Sequence, residues 1–115
     1  MGTGILWTVE QRIAAPAVEC FQFSPGARHG IPWRRDSVYV PLDDFAVLEP
    51  SVRRALRWFH AHGVTRLAAD AAVEFAGALR ACADGATDER SAALAAALGA
   101  WIAAHAADGL TIERW

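Results

Sequence analysis

The stretch Asp-Gly-Leu-Thr-Ile-Glu-Arg-Trp, residues 108–115, decides the fold class. Gly109 ends an alanine-rich helical pattern. After it, Leu110 and Ile112 alternate with Thr111 and Glu113, the period of a strand. The segments just before it are helical, so it has no hairpin partner nearby. A strand's backbone N–H and C=O groups need partners. This one must therefore cross the molecule and join strands from the other end of the chain, which makes one domain out of two halves of different composition.

Those halves are easy to see. The chain has 115 residues and a formal net charge of −2. All five prolines lie at or before Pro50, while 21 of the 26 alanines follow it. Residues 1–49 read as strand-rich, 50–109 as helical and 110–115 as the closing strand, within a single domain 1–115. This length buries one real core without metal or disulfide staples. The near-neutral charge excludes the basic footprint of a general nucleic-acid binder. All eleven cations are arginine, so lysine Schiff bases and phosphate-loop lysines are excluded.

Three strands are expected in the first half. Residues 4–12 alternate Ile5, Trp7 and Val9 with Leu6, Thr8 and Glu10. Residues 18–23 place Phe21 and Phe23 on one face and Val18 and Cys20 on the other. Residues 36–41 carry Ser-Val-Tyr-Val before Pro41. Three helices follow. The first opens at Pro50, which suits a first turn, and stops before Gly63. The second spans 68–84 with Phe75, Leu79 and Cys82 as its stripe. The third is capped by Thr87 and carries Leu94, Leu98, Trp101 and Ile102. Alanine is the best helix former, and it makes thin helices that pack flat on a sheet. The expected architecture is α+β, a small mostly antiparallel sheet with three helices on one face.

Signs of catalysis are weak. His60 and His62 are two apart on an expected helix, so their rings diverge rather than share a metal. They suit the negative end of a helix dipole instead. Cys20 with His29 has the residue types of a nucleophile and its base, but Cys20 sits among apolar strand residues, where a thiol is inert packing. Cys82 lies on a core stripe. Glycine-rich phosphate or dinucleotide turns and the Gly-x-Ser-x-Gly elbow are absent. No metal ligand set, cofactor or catalytic residue is assigned. Nothing has the basic n-region of a signal peptide or the length and apolarity of a membrane span. Two cysteines are no disulfide framework, and a cytoplasmic protein is expected.

Charge is the more informative signal. Residues 36–49 hold four acids (Asp36, Asp43, Asp44 and Glu49) and no base, whereas residues 50–67 hold four arginines and no acid. The simplest reading is that these two runs pair on the surface, where each pair contributes about 0–1 kcal/mol. The functional reading is an interaction surface: Asp43, Asp44 and Phe45 first, then Asp36, Tyr39 and Glu49, then Trp33. Aromatic anchors and rim charges are the usual ingredients of an interface. A compact acidic patch suits a basic protein partner such as a nuclease. Of the five tryptophans, Trp33, Trp58 and Trp115 are the candidates for exposure.

The opening Gly-Ile-Leu-Trp-Thr-Val-Glu (Gly4 to Glu10), the Pro-Leu-Asp-Asp-Phe segment (Pro41 to Phe45) and the glycine-started final strand give a layout that resembles the small immunity proteins of bacterial contact-dependent growth inhibition and polymorphic toxin systems. The resemblance covers the plan of the chain rather than a motif. It implies a cytoplasmic antidote that binds one cognate toxin and occludes its active site, with no catalytic residues to carry over. Two other readings stand beside it. One is a non-enzymatic structural or regulatory domain that forms a homodimer through an unpaired C-terminal strand and Trp115. The other is a small enzyme or metal protein using His29, His60, His62 or Cys20.

Overall fold

The computed structural model describes residues 6–26, 35–56, 59, 63–86 and 88–114. The elements run α1 (Val9–Ala14), β1 (Cys20–Pro25), β2 (Val38–Pro41), α2 (Leu42–Phe45), α3 (Glu49–Ala55), β3 (Val64–Leu67), α4 (Ala69–Gly85), α5 (Glu89–His105), a 3-10 turn (Ala106–Asp108) and β4 (Leu110–Arg114). The four strands form one antiparallel sheet in the order β2-β1-β4-β3. The final strand does cross the molecule. It lies between β1 and β3, with Phe23 opposite Ile112 and Thr65 opposite Ile112 on the other side. An interior strand offers no free edge, so dimerisation through β4 is closed. Trp115 lies outside the described residues.

Alternation sorts the sheet into two faces. Phe21, Phe23, Val40, Leu110 and Ile112 face α4 and α5, where Phe75, Leu79, Leu94, Leu98 and Ile102 complete the core. Phe45 from α2 and Leu48 and Val52 beside it close one side. The phenylalanines form a tilted cluster: the Phe21 and Phe45 ring centroids are 4.7 Å apart, and Phe45 and Phe59 are 5.8 Å apart. α4 and α5 approach closely at Gly99, where an added Cβ would sit 3.1 Å from the Ala76 carbonyl oxygen.

Three expectations are corrected. The expected strand does not run on to residue 12: residues 9–14 are the helix α1. Its cause is a capping box, in which the Thr8 hydroxyl accepts from the Gln11 N–H (3.2 Å) and the Gln11 side chain accepts from the Thr8 N–H (2.8 Å). Among the described residues of this stretch, Trp7 pairs with the sheet through a two-way backbone bridge to Tyr39. Second, the fourth strand is β3, which the sequence showed only as an extended link. Third, the helices are not confined to one face, because α1 packs Val9 against Tyr39 and Cys20 on the opposite side. The first long helix is also shorter than expected. α3 ends at Ala55, and Leu56 is already extended (φ −121°, ψ 96°). α5 is capped by Asp88 rather than Thr87. Among the described residues, no helix is long and apolar enough to cross a membrane.

The entry into β4 depends on Gly109, at φ 97° and ψ −173°, a region open to glycine and costly to other residues by about 1–3 kcal/mol. A Cβ there would lie 2.6 Å from the Leu67 carbonyl oxygen. Gly109→Ala is therefore expected to lower the unfolding free energy by at least about 1–3 kcal/mol in urea titration. Gly77→Ala, where an added Cβ meets nothing within 4 Å, should raise it by about 0.5–1 kcal/mol. Equal effects at the two sites would contradict this account of the turn.

Candidate functional site

Pro41 ends β2 and the chain turns at once into α2. In this short helix the phase does the sorting: Phe45 points into the core, Asp43 is exposed, and Asp44 is partly covered. Asp44 Oδ1 accepts from Arg90 Nη2 at 2.7 Å, which ties α2 to the first turn of α5 across 46 residues of sequence. Beside this pair sits Asp88. Its carboxylate accepts from the Ser91 hydroxyl and from the N–H groups of Ser91 and Arg90. Those bonds, the Ser91 hydroxyl first, hold the Asp88 carboxyl below the usual carboxylate range.

The result is a shallow depression of about 190 Å³ lined by Asp43, Asp44, Val47, Asp88, Arg90 and neighbours. Three carboxylates face one guanidinium. Val47 is 57% exposed at its edge, an apolar contact in an acidic setting. Among the described residues nothing pairs with Asp43. Sequence reasoning missed Val47, Asp88 and Arg90. Asp88 directly follows the expected cap Thr87 in sequence, but nothing local says that the start of α5 meets α2.

The other expected contact residues go elsewhere. Phe45 is fully buried and Tyr39 is 1% exposed, on opposite faces of the sheet. Neither is a surface anchor. The phase of β2 turns Tyr39 inward and that of α2 turns Phe45 inward. Asp36 is exposed but precedes β2, at the end of that strand away from α2, and accepts from the Ser37 hydroxyl. Glu49 is half-buried and pairs with Arg53 one turn later at 3.0 Å. Among the described residues the acidic run meets the arginine helix at Glu49 and Arg53 within α3, while Asp44 takes its cation from α5. Trp33 lies outside the described residues.

The catalytic alternatives find little geometry. His29, His60, His62 and Trp58 lie outside the described residues. Among the described residues no group of three His, Cys, Asp or Glu side chains is placed to hold a metal. Cys20 is buried, and that burial pushes its thiol pKa up, with Arg12 opposing and Asp44 adding to the shift. A raised pKa keeps it protonated at neutral pH. Cys82 is half-buried in a cleft of about 690 Å³ between α3 and α4, where its thiol donates to the Ser51 hydroxyl at 3.5 Å.

Another feature missed from sequence is the polar second face of the sheet. Gln22 Nε2 donates to Ser24 Oγ (2.9 Å), which is 2.7 Å from Ser37 Oγ, and the Thr111 hydroxyl donates to the Gly26 carbonyl. Arg12 and Glu113 are buried on that side. The hydrogen bonds among Gln22, Ser24 and Ser37 help specify a unique packing of this face.

Two outcomes follow from these environments. With a thiol-alkylating reagent at neutral pH, Cys82 should be modified first and Cys20 only on unfolding, as read by peptide mass. Preferential labelling of Cys20 would contradict its burial. Phe45→Ala should cost about 3–5 kcal/mol of stability, measured by denaturant unfolding; a loss below about 1 kcal/mol would mean that the ring is not part of the core. Compared with family models, curated proteins and solved structures, the chain matches none of them.

Proposed function

We propose that the chain is a non-catalytic protein-binding module whose α2–α5 acidic face docks on a basic surface of its partner. The fuller form of this reading is an antidote: a cytoplasmic immunity protein that covers the substrate-binding surface of a cognate bacterial toxin, a nuclease. The observation that carries it is the exposed Asp43 beside Asp44 and Asp88, with Val47 as an exposed apolar contact. Nuclease clefts carry positive potential because they bind phosphates. A surface of opposite sign accelerates encounter with such a cleft, and the acceleration weakens with salt. Desolvation of Val47 on binding would slow dissociation. Asp36, Tyr39, Phe45 and Glu49 drop out of this surface as direct contacts, on the burial, position and pairing described above.

The test is the double reversal Asp43→Arg with Asp44→Arg. The Asp44–Arg90 pair is a surface pair, so its loss costs at most about 1 kcal/mol of stability. Binding to the toxic domain encoded beside this gene should show an association rate lowered about tenfold or more at low ionic strength. The gap should close as salt rises. Stopped-flow association with a circular-dichroism check of folding reads both. Unchanged rate and unchanged salt dependence would assign binding to another face. A neighbouring gene with no toxic product would remove the antidote reading and leave the module.

A further inference from the structure

The two edges of the sheet are treated differently. The β2 edge is covered by the chain itself, through the two-way backbone bridge between Trp7 and Tyr39. The β3 edge is open: among the described residues no strand lies beyond it. The close approach of the Leu67 carbonyl oxygen to Gly109 turns Leu67 toward β4. By the alternation of an antiparallel ladder, the backbone groups of Val64 and Arg66 then turn outward. Among the described residues nothing pairs with them.

Beside this edge runs a groove of about 670 Å³ between β3, α4 and the end of α3. Leu56, Leu67 and Phe75 give it an apolar floor, and Arg54, Arg66 and Glu74 stand exposed at its rim. Arg66 lies opposite Thr111, on the face of the sheet away from Ile112 and the helices. No carboxylate among the described residues pairs with it.

The geometry points to a strand-addition site: the β3 edge takes an extended segment of another protein whose side chains alternate apolar and acidic. Outward backbone groups supply the ladder. Period-two alternation sends every second side chain of the added strand toward α4 and the apolar groove, and the others to the side of Arg66. A carboxylate there forms an opposite-charge cross-strand pair. A second copy of this chain fits less well. Two antiparallel β3 strands with matching faces set Arg66 against Arg66 or against Val64 of the copy, so one register repels and the other leaves the arginine without a carboxylate. This site is separate from the α2–α5 face and does not rest on it.

The test uses the full chain, 15N-labelled, with a blocked eight-residue peptide of alternating valine and glutamate as probe. A peptide of alternating valine and lysine is the control. The expected result is slowed amide exchange at Val64 and Arg66 with the glutamate peptide and not with the lysine peptide. Arg66→Glu should weaken binding of the glutamate peptide about fivefold and favour the lysine peptide instead. Val64→Pro removes an outward N–H at the start of an edge strand, a position where proline is tolerated, and should abolish binding while the amide spectrum of the rest stays intact. No protection at either amide at millimolar peptide, or protection indifferent to the charge at position 66, overturns the proposal. So does concentration-dependent protection of the same amides without peptide, which would give the edge to a second copy.

Discussion

Everything in this molecule hangs on β4 reaching its place between β1 and β3. Without it, the β1–β2 pair has no ladder connection to β3. Once it is seated, Leu110 and Ile112 bring the two halves onto one apolar face. The 3-10 turn and the unusual conformation of Gly109 aim the strand. The contact between Gly109 and the Leu67 carbonyl sets how close β3 can come. Loop closure over so much of the chain is entropically costly. A strand paired on both sides and buried along four of its five residues is well suited to offset that cost.

Sheet position then determines what is left for function. The helix-facing side is filled by phenylalanine and leucine, and the other side is a bonded polar layer closed by α1. Neither face offers a cavity with convergent reactive groups among the described residues. Two exposed charged features lie at the two ends of the strand order. At one, β2 hands over to α2 and its acids. At the other, β3 carries an arginine with no acid opposite.

The closing strand, the parity of Phe21 and Phe23, and the two long helices were legible because each has a clean period. Residues 4–12 were misread because two signals overlap there: Ile5, Trp7 and Val9 alternate like a strand, while Thr8 and Gln11 are spaced like a capping box. Capping won because it satisfies two helix-end N–H groups locally. The segment at Val64–Leu67 is too short and too mixed to declare itself a strand. It becomes one only because β4 lies beside it. Asp43 and Asp44 were read as surface acids beside Phe45; Asp43 is exposed and Asp44 half-buried, while Phe45 takes the core side of the same short helix. Tyr39 and Phe45 show the limit of reading aromatics near acids as anchors: a small domain spends its large rings on its core first. The Asp44–Arg90 contact had no local signal at all, because it joins two elements that only the folded sheet brings together.

The placement of charge has one more consequence. The acidic face follows β2, and the arginine rim flanks β3, the opposite edge of the same sheet. On the two proposals above, a basic partner would meet the α2 side and an acidic segment the β3 side. Screening over roughly 8–10 Å at physiological salt confines each attraction to its own end of a domain whose extents are 32 × 29 × 26 Å. One partner surface of a single sign cannot satisfy both ends. If both are used, they are used by different segments, or by one partner whose basic face and acidic strand are spaced to match the width of the sheet.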